Sequence, residues 1–191
     1  MLVKTANTQY KLNELIFRRY SPRTFEPETP PKEVLMRIFE AVRWAPSSMN
    51  DQPWEILAGT KGTETYEKIF DSLVDFNRKW AKLAPVLVVI CGNKISAKTG
   101  KENPAFRHDC GQAAAYLTFQ AMEEGLYCHQ MGGYDNEKII KAFQLSTDLE
   151  PVVVIALGFP GKPEYLDEIF KKMELSERVR KPLDEIVSLD Y

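Results

Sequence analysis

The chain has 191 residues, 44% hydrophobic and 27% charged, an ordinary composition for a globular protein with one domain and its own core. Its 25 basic and 27 acidic side chains are well mixed and give a net charge of −2, which argues against nucleic acid or an anionic membrane as partner. The longest apolar run, near Pro85–Cys91, is far too short to span a bilayer, and "MLVKTANTQYKLNELIFRRY" has neither an apolar signal core nor a cleavage site. We therefore expect a cytoplasmic protein with no membrane partner.

In chain order, Leu12, Leu15, Ile16 and Phe17 suggest a short amphipathic helix ending at "RRYSPR", where Pro22 disfavours helix at Ser21. "TFEPETPP" reads as a connector, and Pro31 suits the first turn of a helix whose apolar stripe is Val34, Leu35, Ile38, Phe39, Val42 and Ala45. "WEILAGT" reads as a strand. Residues 63–83 read as helical, with Tyr66, Ile69, Phe70, Leu73 and Val74 as the buried stripe. "PVLVVICG" (85–92) and "PVVVIALGFPG" (151–161) are continuous apolar runs, the pattern of strands buried on both faces. Between them, "CGQAAAYLTFQAMEEGL" (110–126) is apolar almost all round, which marks a central buried helix with Gly125 as its cap. "LYCHQM" reads as a strand and "NEKIIKAF" as a short helix. The tail "RKPLDEIVSLDY" has a strand-like end with little core of its own. The sum is a mixed α/β chain with a central sheet and helices on both faces. The order of its strands is not legible.

Several familiar chemistries are missing. There is no G-x-G-x-x-G, no G-x-x-x-x-G-K-[ST] and no G-x-S-x-G. Cys91, Cys110 and Cys128 are odd in number and far apart, with no C-x-x-C, which suits a reducing compartment. His108 and His129 are not spaced as a metal pair, and the adjacent Cys128 and His129 lack further ligands nearby, so no metal is expected. His108 is read as structural, and Cys110 and Cys128 as core.

What remains is a set of recognition residues. "RRYSPR" gathers Arg18, Arg19 and Arg23 around a serine, and "RVRK" gathers Arg178, Arg180 and Lys181 near the other end. Arginine forks match phosphate oxygens, so the two clusters could converge on one phosphate; the alternative is two solvated basic turns. "WAPSSMNDQPW" (44–54) puts two tryptophans beside Ser47, Ser48, Asn50 and Gln52, as though facing something flat with polar edges. In "MGGYD" (131–135), adjacent glycines permit close backbone approach; a plain turn with Asp135 capping the next helix is compatible with that. Flavin mononucleotide (FMN) has the matching parts: a phosphate, a polar pyrimidine edge and an apolar ring.

These motifs, in this order, resemble the FMN-dependent nitroreductase family nearly end to end. "RRYSPRTF" is similar to its R-x-S-x-[RK]-x-F phosphate motif, and "APSSMNDQPW" to its A-P-S-S-x-N-x-Q-P-W signature. "NRKWAKLAPVLVVI", "GLYCHQMGGYDNEKI", "PVVVIALGFPGKP" and "RVRKPLDEIV" resemble its later segments. The resemblance implies a single nitroreductase-like α+β domain over 1–191. It implies an intertwined homodimer, with an arm at about 178–191 packing on the partner subunit. It implies bound FMN, with NAD(P)H as hydride donor. Arg19, Ser21 and Arg23, joined by Arg178 and Arg180, match its phosphate-binding positions; Tyr20, at a variable position of the first motif, is placed with the cofactor-binding residues. Pro46, Ser47, Ser48 and Asn50 match a segment lying against the flavin bound mostly by the other subunit. Asn77 matches a position near the pyrimidine edge, and Gly132 and Gly133 match the turn whose backbone N–H faces flavin N5. Some members have Glu-Gly where this chain has Gly132-Gly133, and the stretch 92–107 is short where larger members insert a lid. The expected activity is ping-pong reduction of nitroaromatic, quinone or related electron-poor acceptors, with no catalytic side-chain acid or base. The alternatives are a specialised enzyme of the same fold (dehalogenase, ene reductase or flavin-fragmenting enzyme) or a non-catalytic flavin sensor.

Overall fold

The computed structural model describes residues 4–190. Asn13 opens α1 (Glu14–Arg18) by accepting the Leu15 N–H. Pro31 stands just ahead of α2 (Lys32–Arg43), which buries Leu35, Ile38 and Val42. A 3₁₀ turn at Ser48–Asn50 leads into β1 (Trp54–Thr60). Then come α3 (Glu64–Ser72), α4 (Asp75–Ala81), β2 (Val86–Asn93), α5 (Phe106–Glu123) and β3 (Tyr127–Met131). The order closes with α6 (Asn136–Phe143), β4 (Leu149–Gly158) and α7 (Glu168–Leu175).

The strands form one antiparallel sheet in the order β1-β2-β4-β3. Side chains alternate across it with the strand period of two. Leu87, Val89 and Cys91 of β2, with Val154 and Ala156 of β4, join a core cluster that also holds Tyr66, Ile69, Trp80, Ile139 and Phe170 from α3, α4, α6 and α7. Val86, Val88 and Ile90, with Ile155 and Leu157, join the opposite cluster with residues of α2 and α5. The sheet is therefore covered on both faces, and β2 is buried along almost its whole length. β4 is less uniform: Glu150, Val152 and Val153 near its start are only half-buried.

Four expectations need correction. Residues 63–83 are two helices, not one. Leu73 turns extended (φ −68°, ψ 142°), bridges Tyr134, and hands the Val74 N–H to the Gly133 carbonyl at 3.2 Å. A tertiary pairing thus overrides a continuous helical stripe, and Val74 ends 44% exposed. The central helix starts at Phe106, a turn earlier than its Ala-rich stretch suggested, and closes as foreseen at Gly125 (φ +79°), with the Leu126 N–H reaching back to Ala121. α7 was not anticipated, although Asp167 caps it through the Phe170 N–H. The tail holds no strand among the described residues; a 3₁₀ turn at Leu183–Glu185 is its one regular element, and Tyr191 lies outside the described residues. A strand requires a neighbouring ladder, and this stretch has none among the described residues.

Candidate functional site: an arginine cradle and a glycine turn

The two basic clusters, more than 150 residues apart in sequence, meet in space. Arg19 Nη1 donates to Ser21 Oγ at 3.3 Å. Arg178 Nη1 donates to the Lys4 and Phe17 carbonyls at 3.2 and 3.1 Å, which pins the C-terminal segment against the start of the chain. Arg180 donates to its neighbouring Val179 carbonyl. Burial lowers the pKa of Arg19 and Arg178, and mutual repulsion among Arg19, Arg178 and Arg180 lowers it further. The acceptors around these three guanidinium groups are neutral carbonyls and a hydroxyl. Arg23 lies alongside; its Nε is buried and makes no hydrogen bond among the described residues. Tyr20, placed by sequence among the cofactor-binding residues, turns its ring inward onto Tyr127 at 5.1 Å, where burial pushes its phenol pKa up. Its side chain is thus core.

Beneath the cradle lie groups that sequence reading passed over. His129 of β3 is hydrogen-bonded to the Pro22 carbonyl at 2.9 Å and packs on Trp80 of α4, with ring centroids 4.3 Å apart. Burial drives the His129 pKa down to about 4. Glu174 of α7 is 1% exposed and accepts the Arg23 N–H at 2.9 Å; burial pushes its pKa up, while Arg23 and Lys4 pull it back. One signal could have found Glu174: it shares the core-facing stripe of α7 with Phe170 and Met173, where a carboxylate is out of place unless partnered.

α4 and β3 carry the second part of the site. Asn77, one turn before Trp80, donates from Nδ2 to the Gly133 carbonyl at 2.9 Å. With Val74 N–H on the same oxygen, both lone pairs of that carbonyl are used. The Gly133 N–H makes no hydrogen bond among the described residues. A Cβ on Gly133 would sit 2.8 Å from Asn77 Nδ2 and 3.0 Å from Val74 Cγ2, so a larger residue would have to displace the Asn77 amide from the Gly133 carbonyl. Asn77, Gly132 and Gly133, singled out separately by sequence, are thus neighbours.

The 44–54 segment is the third part. Met49, Asn50 and Gln52 all have φ near +50°, a left-handed conformation that costs non-glycine residues energy and concentrates at functional sites. Its backbone is over-determined. Asp109 of α5, itself buried, accepts the Ser48 N–H at 3.0 Å, and Ser47 Oγ accepts the Gln52 N–H. Asp51 accepts from Ser96 and Asn103 of the loop before α5. Yet Trp44 and Met49 stand 71% and 74% exposed, and no hydrogen bond joins Pro46, Ser47, Ser48 or Asn50 to the cradle or the glycine turn among the described residues. The structure does not unite this segment with the rest of the site inside one chain.

The remaining candidates are unremarkable chemically. Cys110 and Cys128 are buried as expected, and burial pushes their thiols up to about 12. His108 is not a core residue: its side chain is exposed and meets Asp109 at 3.2 Å. No helix among the described residues is long and apolar enough to cross a membrane.

A model of the nitroreductase family matches residues 16–78 and 60–159, most of the chain. The chain belongs to the nitroreductase family. The expected α+β fold and oxidoreductase class stand with that membership. A solved structure described as an oxidoreductase containing FMN is 30% identical, covers 95% of this chain and 93% of its own, and superposes with a TM-score of 0.88. A protein of Methanothermobacter thermautotrophicus named "Putative NADH dehydrogenase/NAD(P)H nitroreductase" is 27% identical over 82% of this chain and 81% of its own length. An iodotyrosine deiodinase of Thermotoga neapolitana is 26% identical over 80% of this chain and 90% of its own. This nitroreductase-family chain therefore has relatives with more than one named chemistry.

Proposed function

We propose that the protein is an FMN-dependent oxidoreductase that takes reducing equivalents from NAD(P)H and passes them to nitroaromatic, quinone or related electron-poor acceptors. The observation that carries this reading is the convergence of Arg19, Arg178 and Arg180 with no carboxylate partner among the described residues, beside a buried Arg23 Nε that has no hydrogen bond among those residues either. That is a donor set for a dianionic phosphate.

Arg19, Ser21, Arg23, Arg178 and Arg180 hold the FMN phosphate. The Asn77 amide and the free Gly133 N–H serve the polar edge of the ring, and the 46–50 segment covers the ring bound by a second copy of the chain. FMN, when bound, supplies the chemistry, accepting a hydride equivalent from the nicotinamide and releasing the electrons to the acceptor. The protein binds, orients and offers a donor where negative charge develops; it needs no side-chain acid or base. NAD(P)H and the acceptor use one pocket in turn, so the kinetics are ping-pong.

Acid-released cofactor run on HPLC should co-elute with FMN, and NADPH or NADH added under nitrogen should bleach the yellow protein. An FAD peak, or a flavin that only dithionite reduces, sinks the proposal. Initial rates should give parallel double-reciprocal lines; intersecting lines would reveal a separate nicotinamide site. The deiodinase relative supports a second reading, reductive dehalogenation on the same site. Iodide release from iodotyrosine that outpaces nitroaromatic reduction would favour it.

A further inference from the structure

One peptide unit of the cradle is held at both polar ends by side chains from distant elements, the half-buried His129 and the fully buried Glu174. The Pro22 carbonyl oxygen pairs with His129 Nδ1 at 2.9 Å, and the Arg23 N–H of the same peptide donates to Glu174 Oε2 at 2.9 Å. A carbonyl oxygen can only accept, so Nδ1 carries the proton and the imidazole is the neutral Nδ1–H tautomer. Trp80 packs on the ring and fixes its plane. Glu174 is anchored in turn, its backbone carbonyl accepting from Lys4 Nζ at 2.6 Å. The two side chains come from β3 and α7, 107 and 151 residues away from the loop they grip.

This loop cannot orient itself. Pro22 has a fixed φ and no N–H, so the plane of the following peptide is set by rotation about Pro22 ψ and Arg23 φ alone. That plane decides how Arg23 leaves the backbone relative to Pro22 and, one residue further back, Ser21. Burying a carboxylate to receive one backbone N–H is a costly way to support a fold, because its other oxygen, Oε1, has no partner among the described residues. We propose that His129 and Glu174 are positioning residues for phosphate recognition, a two-sided clamp on the Pro22–Arg23 peptide that aims Arg23 into the cradle and fixes it relative to Ser21. The proposal rests on the FMN reading above.

The test compares FMN with riboflavin, which differs only by lacking the phosphate. Apoprotein is titrated with each by fluorescence quenching, and the ratio of the two affinities isolates phosphate recognition. In His129→Gln, whose amide reaches past the Nδ1 position, and in Glu174→Leu, that ratio should fall about 10-fold, the loss of one charge-assisted or buried hydrogen bond. His129→Asn places an amide N–H close to the Nδ1 position and should restore the ratio to within about 3-fold of wild type, less than one such bond. The His129→Gln, Glu174→Leu double variant should lose less than the product of the single losses, because both act on one peptide. If FMN and riboflavin weaken by the same factor, or if Asn and Gln at 129 behave alike, the clamp proposal is overturned. Should Glu174→Leu fail to fold, the two His129 variants decide alone. A wild-type protein that prefers FMN while the variants keep that preference defeats the clamp only; a wild-type protein that binds riboflavin as tightly as FMN defeats the phosphate reading as well.

Discussion

Arg19, Arg178 and Arg180 hold three positive charges close together against neutral acceptors, an arrangement that repels itself until an anion joins it. Removing one of them should therefore weaken phosphate binding while relieving some repulsion in the apoprotein. Arg19→Ala should cost about 1.5–3 kcal/mol of FMN binding, roughly 10- to 150-fold in Kd; a variant that still purifies fully yellow at low concentration would remove Arg19 from the site. His129 makes a different prediction. Its pKa is held near 4 against an ordinary 6.5, so between those values the unfolded chain binds more protons than the folded one. Stability from this residue is fully present above pH 6.5 and is lost as pH falls towards 4, by about 3 kcal/mol in all. Glu174, with its pKa raised, has the opposite slope: its share is present below the ordinary carboxylate pKa and fades as pH rises through the raised one. Urea unfolding of wild type and His129→Asn across pH 4–7 separates the two. The wild-type curve should be the steeper, and equal slopes would mean that His129 is not buried in neutral form.

The interruption between α3 and α4 is the element-scale feature on which the site depends. Leu73 pairs with Tyr134, and the Val74 N–H meets Gly133, so α4 starts at an angle that sets Asn77 against the glycine turn and Trp80 against His129. The same helix thereby touches both the ring-edge candidates and the group beneath the phosphate loop. The two glycines of the turn are not equivalent. A Cβ at Gly132 would meet nothing within 4 Å, whereas one at Gly133 would press on Asn77 and Val74. Gly133→Ala should destabilise the protein by about 1–3 kcal/mol through overpacking and should weaken FMN binding by displacing the Asn77 amide. Gly132→Ala should change the melting temperature little by comparison. Equal effects of the two substitutions would show that the turn has room to yield.

At the scale of the whole molecule, one chain leaves its most specific motif outside the site. Trp44 and Met49 face solvent, and the tail exposes Val179 (77%), Ile186, Val187 and Leu189 (76%) with no core beneath them. Scattered exposed apolar residues are ordinary, but an apolar tail with no ladder of its own, and separately a strained loop that leaves Trp44 and Met49 bare, are each what a partner would cover. We expect a homodimer: light scattering at micromolar concentration should report roughly twice 21.9 kDa. Deleting residues 183–191 should shift the equilibrium towards monomer, and FMN should raise the melting temperature of the full-length apoprotein by mass action. A monomer that keeps FMN would refute the shared site.

What the amino-acid order determines unaided is whatever rests on local chemistry. The continuous apolar runs 85–92 and 151–161 point to strands with two buried faces, Gly125 and Asp135 mark helix ends, and Arg19, Ser21 and Arg23 with Arg178 and Arg180 stand out as two basic clusters whose residue types suit a phosphate. Tertiary structure decided what depends on partners far along the chain. The antiparallel order β1-β2-β4-β3 follows from pairings between distant strands. The break at Leu73 exists because its neighbours pair across the chain, the Val74 N–H with the Gly133 carbonyl and the Ser72 carbonyl with the Asp135 N–H, in place of further helical bonds. The inward turn of Tyr20 depends on Tyr127, and the roles of His129 and Glu174 appear only when β3 and α7 close on Pro22 and Arg23. A local signal is carried by a few neighbouring residues: the stripe of α7 can mark Glu174 as a carboxylate in need of a partner, but which group 107 or 151 positions away takes that place is decided only when the sheet and helices bring them together.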